Sequence, residues 1–203
     1  LIEAWNAISA ASPTFFEVKI GIIDSGMDAT HPEFSLFPRV NIGNTPFNAQ
    51  VDGESTGHGT QVSGIIGANN ISATSSENYR AGQMNGILSG IKDLSYTLEH
   101  RTDSFGRNGR PSISKILWEA NRLALRGIPI INLTATFDFK NFFTSVPCDP
   151  LLTDSFELLF ASALSVFSDR TLFIISSGEI SPGLADAECF LPGALGGGTL
   201  SLS

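Results

Sequence analysis

The sequence predicts an α/β fold: a mostly parallel sheet with helices on both faces, in three layers. Three observations predict it. Val18 to Ile23 and Ile128 to Leu133 are short apolar runs that end in polar residues, and Thr171 to Ser176 is a third such run. Runs of this kind, apolar on both faces, read as buried parallel strands. Helical patterns alternate with them, and that alternation is the mark of a parallel sheet covered by helices. No stretch reads as a linker, a repeat or a low-complexity tract, so residues 1–203 are read as one domain.

Taken in order, residues 1–10 predict a short helix, with Leu1 and Trp5 four apart on one face and Ser12-Pro13-Thr14 as the break. The run from Val18 follows, and Ser25-Gly26 then turns the chain. Residues 35–56 are rich in Asn, Gly and Pro and read as loop. From Val62 onward the run of small and branched residues reads as a helix, with His58 at its first turn, and it ends near Asn69-Asn70. Residues 70–86 read as a polar connection. One strand is placed between Ile87 and Leu98, and His100 to Arg110, charged and glycine-containing, reads as a surface loop with His100 exposed.

Ser112 to Arg126 is a stronger helix. A serine cap follows Pro111, apolar residues recur at Ile116, Leu117, Ala120, Leu123 and Ala124, and Gly127 supplies the stop. Phe137 to Pro150 is aromatic and irregular. Asp154-x-x-Glu157 reads as a capping box opening a helix to about Phe167. Residues 180–198 read as loop, and Thr199 to Leu202 as the start of another strand.

Composition bounds the partners. The formal charge is -8, which argues against nucleic acid or an anionic membrane surface as the main partner. No apolar run reaches the roughly 18 residues of a membrane-spanning helix. The chain opens Leu-Ile-Glu-Ala-Trp-Asn, without an initiator Met or a basic leader. That opening suggests a mature or excised product. Cys148 and Cys189 can pair or stand as two buried thiols, and sequence does not choose between these.

Chemistry concentrates at two places. In Gly57-His58-Gly59-Thr60, His58 falls in the first turn of a helix, where free backbone N–H groups make the field positive. A histidine acting there as a base needs a carboxylate to offset that field. Asp24 is the candidate, at the carboxyl end of a buried strand, where functional groups gather in open α/β sheets.

These segments, Ile22-Ile23-Asp24-Ser25-Gly26-Met27-Asp28 with His31-Pro32-Glu33-Phe34, and Gly57-His58-Gly59-Thr60 with its small-residue helix, resemble the aspartate and histidine motifs of the subtilisin-like serine proteases. Ile131-Asn132-Leu133-Thr134 is similar to the family's Ile-Asn-Met-Ser strand. The resemblance runs from about residue 1 to 203 but covers only the front two-thirds or so of a family domain. The family's third motif, Gly-Thr-Ser-Met-Ala, occurs nowhere in the sequence.

The resemblance implies a subtilisin-like fold, incomplete at its C-terminal end. It also implies an endopeptidase working through an Asp/His/Ser triad, with Asp24 orienting and His58 as acid and base. It puts Thr134, Ala135, Thr136 and Gly178 in the substrate cleft. Glu179 falls where relatives carry the asparagine that donates to the oxyanion, and an ionised carboxylate there would repel the developing charge. The residues alone imply an inactive chain. The alternative is a catalytically inactive relative that keeps the fold for peptide binding or a structural role. A polypeptide substrate is the implied partner, with a pro-region or inhibitor beside it, and secretion the implied location. Many members bind calcium. Glu33 matches an acidic position that can ligate it, and the sequence identifies no other ligand.

Overall fold

The computed structural model describes residues 2–11, 17–35, 40–41, 57–68, 86–89, 91, 94–102, 113–133, 137–138, 162–175 and 190–191. The chain divides into two compact units, Leu1–Thr102 and Asp103–Ser203. The fold is α/β with parallel strands, as the apolar runs predict.

In the first unit the strands are Val18–Asp24 (β1), Val40–Asn41 (β2) and Tyr96–Thr102 (β3). β3 lies between the other two and pairs with both in parallel, with Val18 opposite Tyr96 and Asp24 opposite Thr102. β1 is buried from Ile20 onward, as a strand covered on both faces should be. The helices are Ile2–Ala10 (α1), Pro32–Ser35 (α2) and His58–Gly67 (α3). α1 is tied down by Trp5, whose indole N–H donates to the Ile87 carbonyl at 2.6 Å.

α3 packs on β3 through contacts that only small residues allow. A Cβ on Gly67 would come within 2.6 Å of the Tyr96 ring, and the Tyr96 hydroxyl donates to the Gly67 carbonyl at 2.8 Å. Parallel strands joined through helices leave their carboxyl ends together, so Asp24 emerges at the edge that α3 approaches.

The sequence reading places the strand too early. Residues 87–89 form a turn, and β3 begins at Tyr96 and takes in Glu99, His100 and Arg101. His100 is therefore not a surface residue: it is 0% exposed. The charges that make this stretch look like loop are neutralised inside the fold. Glu99 and Arg101, two apart on one face of the strand, form a buried ion pair at 3.7 Å. Thr97 on the same face donates to Glu17.

In the second unit, Ile113–Leu125 (α4) precedes Ile130–Leu133 (β4). α4 ends as its sequence predicts. Gly127 has φ 75°, its N–H reaches the Ala124 carbonyl, and the Ile128 N–H reaches that of Leu123. These paired bonds close the helix as a Schellman motif, whose left-handed residue glycine adopts without strain. Ile116, Ala120, Leu123 and Ala124 are buried, while Lys115 and Glu119 pair one turn apart.

β4 pairs in parallel with Leu172–Ile175 (numbered β6), with Ile130 opposite Leu172. Phe137–Asp138 (β5) pairs antiparallel with Phe190–Leu191 (β7), two short strands inside stretches that read as irregular. Of the helix predicted from Ser155, residues 162–165 are helical and 155–161 lie outside the described residues. β6 departs from the expected burial, since Leu172 and Ile174 are each 48% exposed. The strand expected at 199–202 lies outside the described residues, as do Cys148 and Cys189. No helix among the described residues is long and apolar enough to cross a membrane.

Candidate active site

The carboxyl end of β1 and the first turn of α3 meet, and the meeting depends on glycine. α3 starts at His58, and its cap, Gly57, adopts φ 64°, a left-handed turn that aims the helix at the strand end. The Gly57 carbonyl takes the first helical hydrogen bond, from Gln61 at 3.0 Å. Gly59 lies so close to the turn after β1 that a Cβ there would sit 1.9 Å from the Gly26 oxygen.

This approach brings His58 Nδ1 to 2.8 Å from Asp24 Oδ1. The carboxylate is buried, its side chain 3% exposed, whereas the imidazole is 48% exposed. A carboxylate only accepts hydrogen bonds, so the proton of this bond sits on Nδ1 and the neutral ring carries its lone pair on Nε2. Asp24 Oδ1 is itself fixed by the Ser25 N–H at 2.7 Å and the Ser25 hydroxyl at 3.2 Å. Ser25 Oγ in turn accepts from the Gly59 N–H at 3.0 Å, so one serine bridges the two elements. A second bridge runs beside it, from the Asp28 N–H to Thr60 Oγ1 at 2.9 Å.

The segment after Asp28 is built locally. The Asp28 carboxylate accepts from the N–H and hydroxyl of Thr30, a short turn of the kind aspartate favours. His31 Nδ1 accepts from the Glu33 N–H at 3.3 Å and the ring lies 5.8 Å from that of Phe34, so His31 holds the turn into α2. No group of three His, Cys, Asp or Glu side chains suited to a metal ion occurs among the described residues.

An oriented imidazole with a buried carboxylate behind it can take a proton from a hydroxyl and return it to a leaving group. The carboxylate stabilises the imidazolium formed between those steps. Of the residues read from sequence, Asp24 and His58 are brought together. Thr134, Ala135, Thr136, Gly178 and Glu179 lie outside the described residues. Sequence reasoning missed Ser25 and Thr60 as bridges and Ser63 and His100 beneath them. The alternation Tyr96-x-Leu98-x-His100 is the one signal that puts His100 on a buried face.

The chain is similar to several solved structures. A cold adapted subtilisin-like serine proteinase aligns at 18% identity and TM-score 0.47, over 80% of this chain and 47% of its own. The epidermin leader peptide processing serine protease of Staphylococcus aureus aligns at 21% identity and TM-score 0.45, over 86% of this chain and 41% of its own. MycP1, solved with its N-terminal propeptide removed, aligns at 16% identity and TM-score 0.48, over 89% and 48%. The chain thus spans about half or less of the length of these structures. No curated protein sequence matches it. The profile of the Subtilase family, peptidase S8, matches residues 17–190, most of the chain and both of the segments that meet at Asp24 and His58. The chain belongs to the subtilase family of serine proteases.

Proposed function

We propose that this chain carries the aspartate and histidine of a subtilisin-type serine endopeptidase, with the nucleophilic serine supplied from outside residues 1–203. The observation that carries the reading is the 2.8 Å hydrogen bond between His58 Nδ1 and buried Asp24, inside a subtilase-family match. In the reaction, His58 Nε2 takes the serine proton as the hydroxyl attacks the scissile carbonyl, and then passes it to the leaving amine. Water enters and attacks the acyl carbon as the same nitrogen takes its proton, and that proton passes to the serine oxygen as the acyl group leaves as a carboxylic acid. Asp24 holds the tautomer and offsets the charge on the ring throughout. The substrate is a polypeptide, held along Thr134, Ala135, Thr136 and Gly178. A pro-region or inhibitor would occupy the same cleft before activation, and secretion fits such an enzyme.

The test is peptide hydrolysis by the full-length protein and its Asp24→Asn variant. An asparagine amide can donate to Nδ1 and favour the wrong tautomer, so kcat should fall by roughly 10³–10⁴. Equal rates for the two proteins would refute the assignment of Asp24.

A second reading is a catalytically inactive relative that binds peptides. It is favoured by Glu179, which falls in the sequence where the resemblance expects the asparagine that donates to the oxyanion. Saturable peptide binding by a full-length protein without turnover would select it.

A further inference from the structure

Beneath the exposed imidazole lies a second histidine that the proposed reaction does not use. His100 sits on β3 and Ser63 on α3, both 0% exposed. His100 Nε2 is 2.7 Å from Ser63 Oγ, and that hydroxyl is 2.6 Å from the Gly59 carbonyl, to which it donates. Burial rules out a nucleophile and base of their own, because no substrate reaches them. The proton count then fixes the direction. A serine hydroxyl has one proton, and it is committed to Gly59, so His100 Nε2–H is the donor to Ser63 Oγ.

We propose that His100 is a positioning residue for His58. Acting through Ser63, it anchors the carbonyl of Gly59, the residue next to His58, to the central strand β3. The Gly59 carbonyl is held from below by Ser63, and the Gly59 N–H from the side by Ser25, which also holds Asp24. The first turn of α3 is thereby fixed in two directions at the residue whose displacement would lengthen the His58–Asp24 bond. A serine bonded only back to its own helix would tie the Gly59 carbonyl to α3 and not to β3, and such back-bonding tends to bend helices. The imidazole converts that local bond into a tie between helix and sheet. A separate tie, Tyr96 hydroxyl to Gly67 carbonyl, secures the opposite end of α3. The inference rests on reading Asp24 and His58 as the catalytic pair.

The test follows the Nδ1 proton of His58 by NMR in the full-length protein labelled with 15N-histidine, the resonance being assigned by its loss in His58→Ala. His100→Leu and Ser63→Ala should shift this resonance or broaden it into exchange with water. His100→Gln, which can still donate to Ser63, should retain it, and Tyr96→Phe, which cuts the tie at the far end, should leave it unchanged. Where the peptidase is active, His100→Leu should lower kcat roughly tenfold with KM unchanged, the signature of a misplaced base. A folded Ser63→Ala variant with the wild-type resonance overturns the proposal, as does a wild type that lacks the resonance. If His100→Leu does not fold, Ser63→Ala, which removes only a hydroxyl, still decides. An inactive wild type whose resonance is lost on Ser63→Ala supports the positioning role while refuting the peptidase reading. An active one whose resonance does not respond refutes the positioning role alone.

Discussion

Gly59→Ala is the substitution from which the structure predicts most. The added Cβ would meet the Gly26 oxygen at 1.9 Å, the Gly26 carbonyl carbon at 3.0 Å and Asp24 Oδ1 at 3.1 Å. Carbon atoms of this kind keep about 3 Å or more from such neighbours, so α3 and the turn after β1 must part by about 1 Å. The obstacle is backbone, which cannot swing aside as a side chain would. Overpacking of this sort costs about 1–3 kcal/mol of stability. The same parting acts along the His58–Asp24 contact. Adding about 1 Å to a bond of 2.8 Å takes it beyond hydrogen-bonding range. A base misplaced by that much costs roughly 10²-fold in rate, about 2.7 kcal/mol of transition-state stabilisation. Urea denaturation and kcat/KM for peptide hydrolysis, both on the full-length protein, measure the two effects. An alanine variant with the wild-type midpoint and rate would refute the close approach on which the site is built.

Gly127→Ala is its counterpart. Nothing lies within 4 Å of a Cβ there, so only the left-handed φ of 75° is strained. Stability should fall by about 1–2 kcal/mol in the same denaturation assay, with no change in hydrolysis. Glu99→Gln leaves the Arg101 charge buried beside a neutral partner and should cost about 3–5 kcal/mol. Replacing both residues with apolar ones of similar volume should recover much of that loss, read as a shift in the urea midpoint. Thr60→Val removes the acceptor of the Asp28 N–H and should destabilise by about 1–3 kcal/mol, checked by thermal unfolding.

How much of this was legible in the sequence depends on how locally each feature is determined. β1 reads from its apolar run alone. α4 reads from its periodicity and from Gly127, because a Schellman stop needs only a left-handed residue after the last turn. Asp24 and His58 read as partners because a strand end and a helix start are both marked by short motifs. β3 did not read correctly, since Glu99, His100 and Arg101 look like solvent-facing charge until their partners are known. Those partners are Arg101 for Glu99, two residues along, and Ser63 for His100, thirty-seven residues away on α3. A buried polar residue becomes intelligible only through its contact, and a contact at long range leaves no local pattern. The two-residue strands β2, β5 and β7 are missed for a related reason, as two residues carry no periodicity.

The central claim is that the Asp24–His58 pair activates a serine. Fluorophosphonate labelling of the full-length native protein, with peptide mapping of the adduct, tests it most directly. The account predicts an adduct on a serine outside residues 1–203, abolished by His58→Ala. A folded protein, free of inhibitor or pro-segment, that takes up no label would contradict it.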